Sequence, residues 1–377
     1  MPRPIIALVA NIAWNLYNFR RGLISALQAE GYDILLIASA DDYVERLEAM
    51  GCTFVPLRHL SRKGTNPWSD FRLYLELRSI YRQYAPQAVL HYTIKPNIYG
   101  TLAARSAGVA SIATITGLGY SFLSTGWVSR LVRRLYRFAL AKAARTIFQN
   151  QDDKQLFVAE KLVAEAQTML IRGSGINTEQ FAPCPKADEH KNTFIFLFVG
   201  RLLYDKGIRE FLQAAEQLKK SNPDGCQCWI VGALDTQNPS ALAPEELQKY
   251  TQNNTVTYFG STDNVKDFIA NADAVVLPSY REGLPRVMLE ALAMARPIIT
   301  TDAPGCRDTI EDGKNGFRIP PQNAQALAQA MRQMLQADEE TRQNMGKHGR
   351  EMAETLFDQN VVINQYLQLI TQIKKNA

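Results

Sequence analysis

The run Tyr280 to Pro297, YREGLPRVMLEALAMARP, sets one glutamate before a Gly-Leu-Pro turn and a second inside an apolar stretch. Glu290 stands among Met288, Leu289, Ala291, Leu292, Ala293 and Met294. A carboxylate there loses hydration, and a partner or a ligand must offset the loss. Two offsets are open: hydroxyl groups of a bound polyol, or an ion pair with Arg286 four residues earlier. The preceding AVVLPS reads as a buried strand, which puts Glu282 in its exit loop. Pro285 suits the first turn of the next helix. The start of that helix, Gly283 to Arg286, is expected to present N–H donors that lack an intrahelical acceptor, and a positive dipole end. Upstream, FIFLFVG runs into GRLLYDKGIREFL. Gly200 permits close backbone approach, Arg201 offers a planar fork of donors, and Lys206 a point charge, again beside a helix start. By itself this segment is equally a solvated surface turn. Taken together, two cations, a helix N-terminus and glycines suit a diphosphate, while two carboxylates suit the hydroxyls of sugar and ribose. A diphosphate flanked by two polyols is a nucleotide sugar. Paired acids also describe a glycoside hydrolase, but that chemistry has no use for a cationic, phosphate-sized pocket.

The elements that must position these residues are short apolar strands alternating with helical stretches. PIIALVAN, DILLIAS, QAVLHYT, SIATITG and RTIFQN are strand-like in the first half; FIFLFVG, CWIVG, VTYFG, AVVLPS and PIITTD are so in the second. Nearly continuous apolar strands interleaved with amphipathic segments predict parallel sheets covered on both faces. The chain has 377 residues, too many for one ordinary core. It divides at RGSGINTEQFAPCPKADEHKN, a linker-like stretch rich in Gly, Pro and charge. The expected fold class is therefore α/β, with two doubly wound, Rossmann-like domains facing across a cleft at the carboxyl ends of their strands. Five scattered cysteines, without a matching His or Cys pair, argue against zinc and for a reducing, cytoplasmic setting. No apolar run is long enough to span a membrane, and the N-terminus reads as mature sequence rather than a signal peptide. Residues 1–180 carry 21 Lys and Arg against 13 Asp and Glu, whereas residues 181–377 carry 21 against 24. The first half has reason to meet something anionic.

At this point the chain resembles the family-four glycosyltransferases of the two-domain GT-B fold. GINTEQF, GRLLYDKG, PSYREGLPRVMLEALAMARPII and GCRDTIEDGKNGF match the family's motifs in order, and the likeness covers nearly the whole chain. The resemblance implies that Arg201 and Lys206 hold the donor diphosphate, that Glu290 binds the ribose hydroxyls, and that Glu282 contacts the transferred sugar. It places backbone donors around Gly283, Leu284 and Pro285 against sugar or phosphate, and Gly200, Gly232 and Gly260 where the nucleotide sits. It further implies retention of the anomeric configuration and no divalent metal; the lack of any Asp-x-Asp agrees. The implied domains are 1–175 for the acceptor, 176–357 for the nucleotide sugar, and a helix at 358–377 packing back on the first.

YTIKPNIYG and TITGLGYSF both follow strands and resemble segments of bacterial enzymes that extend polyprenyl-diphosphate-linked sugars. Lys95 and Asn97, with Gly117 and Gly119, are the acceptor-site candidates; a plain helix-starting turn is the alternative for Pro96 and Asn97. His91 reads as a packed strand-end residue. In WVSRLVRRLYRFAL, Arg130, Arg133, Arg134 and Arg137 share one helical face, opposite Val128, Leu131, Val132, Leu135 and Phe138. Such a helix either buries its apolar side in a core or lies on an anionic membrane with Trp127 at headgroup level. No nucleic-acid motif is present. Two departures, VANIAWNLYNF without the family's glycine pair and TGLGYSF without its histidine, leave the sugar open. The expected activity is a cytoplasmic, peripherally membrane-associated transfer of a hexose or N-acetylhexosamine, of galactose or N-acetylgalactosamine type. The donor would be a UDP-sugar and the acceptor a polyprenyl-diphosphate-linked saccharide at the inner membrane face. The alternatives are a soluble acceptor, a non-hydrolysing nucleotide-sugar epimerase, and a non-enzymatic binding or scaffold protein.

Overall fold

A computed structural model describes residues 3–60, 66–118, 126–222, 225–236 and 238–375. It divides into two compact units, Met1–Ser174 with Asn360–Ala377, and Gly175–Gln359.

The first unit holds a seven-stranded parallel sheet of order β3-β2-β1-β4-β5-β6-β7. Its strands are β1 (Ile5–Ile12), β2 (Asp33–Ser39), β3 (Thr53–Pro56), β4 (Ala88–Tyr92), β5 (Ala110–Ile115), β6 (Arg145–Phe148) and β7 (Thr168–Leu170). The central strands are buried on both pleat faces, which is why they read as runs rather than alternations. Ala7, Val9 and Val89 pack under the helix Pro67–Tyr84, and Ala113, Ile115 and Phe148 under the helices Trp127–Leu140 and Gln151–Ala159. Ile6, Leu8, Leu90 and Ile147 face the opposite layer, formed by the helix Ala13–Ala29 and the terminal helix Gln359–Lys375. Ending the chain at Asp358 would strip Val362, Ile363, Tyr366, Leu369 and Ile370 from that second core. At roughly 1.5–3 kcal/mol per buried side chain, the loss is as large as a typical domain's whole stability of about 5–15 kcal/mol. The truncated protein is expected to lose its cooperative thermal transition by circular dichroism; an unchanged transition would show that the helix is dispensable.

The second unit holds a six-stranded parallel sheet of order β10-β9-β8-β11-β12-β13. Its strands are β8 (Ile195–Val199), β9 (Gln227–Val231), β10 (Thr257–Tyr258), β11 (Ala274–Leu277), β12 (Ile298–Thr301) and β13 (Gly316–Ile319). The winding reverses between β8 and β11. Loops leaving the carboxyl ends of such a pair cannot cover each other's crevice, so a ligand fits there. The two motif-bearing loops of this chain leave those two strands.

Candidate functional site

The loop after β8 carries Gly200 and Arg201 and ends in the short turn Tyr204–Lys206 that opens the helix Ile208–Ser221. The loop after β11 carries Ser279, Glu282 and Gly283 and ends at the buried helix Arg286–Ala293. The two loops meet through chemistry: Lys206 Nζ donates to Glu282 Oε1, and Ser279 Oγ donates to the same oxygen at 2.7 Å. Tyr280 N donates to Asp205 O at 2.9 Å, tying the loop backbones together beside that pair. Behind Glu282, its own N–H donates to Pro304 O at 2.9 Å. A Cβ on Gly305, where φ is +78°, would stand 2.4 Å from Glu282 O and 2.6 Å from Gly283 O. Only glycine lets that third loop brace the acid. Burial pushes the nearby Cys306 thiol up to about 12, with the Glu282 charge adding to the effect.

The other candidates divide. Arg201 is exposed and reaches Asp235 Oδ2, in the loop after β9, at 3.5 Å rather than either glutamate. Glu290 is 9% exposed, and its Oε1 accepts from Arg286 Nε at 2.9 Å, so the ion pair open to it on sequence grounds is formed. Burial nevertheless outweighs that neighbour: the Glu290 carboxyl lies above the usual glutamate range, with the Arg286 charge only reducing the rise. Gly232 donates its N–H to Gly260 O at 2.7 Å, and a Cβ on it would stand 1.8 Å from Gly200 O. It packs the loop after β9 against the loop after β8. Leu284 is half-buried against the core of this unit, and Pro285 caps the helix from outside its first turn instead of lying within it.

In the first unit Lys95 Nζ donates to Asp70 Oδ1 at 2.7 Å, and Tyr99 Oη to Asp70 Oδ2 at 2.9 Å. Asn97 requires a correction. Its side chain is buried, its Nδ2 donates to Thr114 O at 2.8 Å, and its Oδ1 accepts from Thr114 N at 3.1 Å. Both ends of the amide are spent on one backbone unit of β5, so Asn97 splices a π-turn (Pro96–Gly100) to the sheet and is not presented to an acceptor. His91 is a packed histidine, between Tyr81 Oη at 2.9 Å and Ser111 Oγ at 3.1 Å, its pKa lowered to about 3 by burial. Gly117 leaves β5 at φ +128°, and Gly119 lies outside the described residues.

Comparison with known proteins now bears on both units. Residues 184–352 match the family model Glycosyl transferases group 1, and residues 5–151 match Glycosyl transferase 4-like. This chain belongs to the glycosyltransferases. It is 28% identical over 387 residues to the N,N'-diacetylbacillosaminyl-diphospho-undecaprenol alpha-1,3-N-acetylgalactosaminyltransferase of Campylobacter jejuni, covering 99% of this chain and 100% of that protein. It is 26% identical over 310 residues to the UDP-Gal:alpha-D-GlcNAc-diphosphoundecaprenol alpha-1,3-galactosyltransferase of Escherichia coli, covering 78% of this chain and 77% of that one. A solved sucrose-phosphate synthase from Thermosynechococcus elongatus matches with TM-score 0.82 at 23% identity, both chains being covered in full. The fold is that of the GT-B glycosyltransferases, with two Rossmann-like parallel-sheet domains.

The arginine helix of this glycosyltransferase, Trp127–Leu140, departs from its wheel. Its buried residues are Ser129, Val132, Tyr136, Ala139 and Leu140, while Leu131 and Phe138 are exposed together with Trp127. Arg133 pairs with Glu160, and Arg137 donates to Glu160 O at 2.8 Å and Lys161 O at 3.0 Å. Those contacts fasten the helix to the end of Gln151–Ala159; Arg133 is half-buried beside the Glu160 carboxylate, whereas Arg137 stays exposed and its carbonyl partners leave its charge in place. Arg130 and Arg134 are exposed. Sequence reasoning missed Ser279, Asp70 and Gly305. Ser279 lies in the loop three residues before Glu282, a spacing that could have flagged it. Gly305 opens the motif GCRDTIEDGKNGF, but its brace on Glu282 depends on a separate loop, and Asp70 comes from a distant segment.

Proposed function

We propose that this glycosyltransferase moves a hexose or N-acetylhexosamine, of galactose or N-acetylgalactosamine type, from a UDP-sugar onto a polyprenyl-diphosphate-linked saccharide. The reading includes retention at the anomeric carbon and no metal requirement. It is carried by the Lys206–Glu282 pair outside the strands where the second sheet reverses, a cation suited to a diphosphate beside a carboxylate suited to a sugar hydroxyl. Support for the acceptor class comes from the two relatives above, both of which act on diphospho-undecaprenol-linked sugars by name, and for the donor from the one named for UDP-Gal.

In this reading the bond from the anomeric carbon to the diphosphate oxygen breaks, and the acceptor hydroxyl oxygen bonds to that carbon on the same face. The hydroxyl proton passes to the departing phosphate oxygen, and UDP leaves. Arg201 and Lys206 neutralise the charge that develops on the diphosphate, aided by the N–H groups of Gly283 and Leu284. Glu282 accepts from a hydroxyl of the transferred sugar, and Glu290 from the ribose. Lys95, held by Asp70, meets the acceptor's diphosphate or sugar. The enzyme works at the cytoplasmic face of the cell membrane, with Trp127, Arg130 and Arg134 against anionic lipid.

The test is a panel of UDP-sugars assayed against polyprenyl-diphosphate monosaccharides, with the product's anomeric configuration read by NMR. One donor should turn over, yielding a product of unchanged configuration, and EDTA should leave the initial rate unaltered. Transfer confined to water-soluble acceptors, or epimerised UDP-sugar without transfer, would overturn the acceptor assignment; a rate abolished by EDTA and restored by a divalent ion would overturn the metal-free one.

A further inference from the structure

The helix Pro67–Tyr84 buries Asp70, Leu73, Leu77, Ile80 and Tyr81. On its outer side Trp68 is 69% exposed, Phe71 49% and Leu75 41%, in line at i, i+3 and i+7. Their rings form one surface: Trp68 meets Phe71 edge-on at 6.2 Å, and Tyr74 stacks on Phe71 at 6.3 Å. The acids of this segment turn away from that surface. Asp70 is taken by Lys95 and Tyr99, and Glu76 accepts the N–H groups of Arg58 at 2.9 Å and His59 at 3.1 Å. Arg58, Arg72 and Arg82 stay exposed. The outward face is therefore apolar and cationic with no exposed carboxylate.

The helix Trp127–Leu140 repeats the arrangement in the same layer. Trp127 is 69% exposed, Leu131 40% and Phe138 60%, with Arg130 and Arg134 beside them. Both helices pack on the π-turn Pro96–Gly100 from one face of the sheet, and each tryptophan stands in its helix's first turn, at the sheet's carboxyl edge. Arginines interrupt both apolar lines, at Phe71–Arg72 and Arg130–Leu131. An anionic bilayer surface receives rings at headgroup depth and guanidinium groups at its phosphates, and it complements a face on which exposed arginines stand without a neighbouring exposed acid.

We infer that the helix Pro67–Tyr84 is a second membrane contact, Trp68, Phe71 and Leu75 entering an anionic bilayer surface alongside Trp127, Leu131 and Phe138. The inference rests on the membrane reading above and adds a second point of attachment, which sets the orientation of the first unit on the membrane rather than only holding it there.

The test uses the full chain with Trp14, Trp127 and Trp229 replaced by Phe, leaving Trp68 as the single reporter, and vesicles of phosphatidylglycerol brominated on the acyl chain. Trp68 fluorescence should be quenched, as should Trp127 in the reciprocal variant. Quenching of Trp127 alone overturns the second contact and leaves the membrane reading standing; quenching of neither overturns both. A second variant spares the buried Trp229: Trp68→Ser with Phe71→Ser in the otherwise native chain changes only exposed positions. Its co-sedimentation with phosphatidylglycerol vesicles should weaken by about tenfold or more. Unchanged partition, or a lipid-free dimer that this variant disperses in sedimentation velocity, would overturn the inference.

Discussion

Lys206→Ala is expected to lower kcat by about 1000-fold, the scale seen when one preorganised donor to developing charge is removed. The size follows from position. Lys206 is held on a turn tied to the loop after β11 by Tyr280 N to Asp205 O at 2.9 Å, so its ammonium needs little reorganisation as the diphosphate departs. Loss of the lysine also removes the cation held against the Glu282 carboxylate, whose side chain is 13% exposed, so the single variant should lose stability as well. The two effects separate in the double variant Lys206→Ala with Glu282→Gln, where the carboxylate's charge is removed with the lysine's. Its Tm should return towards that of the native enzyme while turnover stays low. Recovery of rate together with Tm would mean that the pair is only a structural bridge.

Much of this arrangement was legible in the sequence because it depends on local order. Unbroken apolar runs such as IIALVANI and AVVL report strands buried on both sides, and the alternation with helices fixes parallel pairing. Lys206 and Glu282 meet because each follows a strand of the central pair, a consequence of doubly wound topology that needs no knowledge of side-chain packing. What stayed hidden depends on partners far along the chain. Asn97 could equally have faced a ligand or a backbone, and only the 17-residue return of β5 decides for Thr114. The arginine helix carries two apolar stripes, one through Val132 and Tyr136 and one through Leu131 and Phe138, and a wheel cannot say which enters the core. Glu160, at the end of the next helix, claims Arg133 and so settles the orientation. Asp70 illustrates the same limit, since a carboxylate in a first helical turn reads as a dipole partner until Lys95 arrives from the neighbouring strand loop.

Glu290→Gln is expected to raise the KM for the UDP-sugar by about 10- to 100-fold, the worth of hydrogen bonds to a charged acceptor at roughly 1.5–3 kcal/mol, without lowering Tm at neutral pH. The second half of that statement comes from the sign of the carboxyl's shift. Burial raises the Glu290 pKa in the folded state, so on raising pH the unfolded chain releases this proton first. Between the ordinary glutamate value of about 4.3 and the raised folded value, the native state binds more protons, and stability falls as pH climbs. At neutral pH the carboxylate is thus a burden on the fold that its pair with Arg286 offsets only in part. Glutamine keeps the volume and can still accept from Arg286, whose side chain is 31% exposed and so stays hydrated. Its Tm should therefore match or exceed the native value near pH 7, and lose the native enzyme's decline across the acidic window. A purely structural Glu290–Arg286 bridge demands the reverse, a lower Tm with an unaltered KM. An unstable variant that binds UDP-sugar normally would remove Glu290 from the donor site, while a stable one that binds it poorly would assign the stored burial energy to recognition of the ribose.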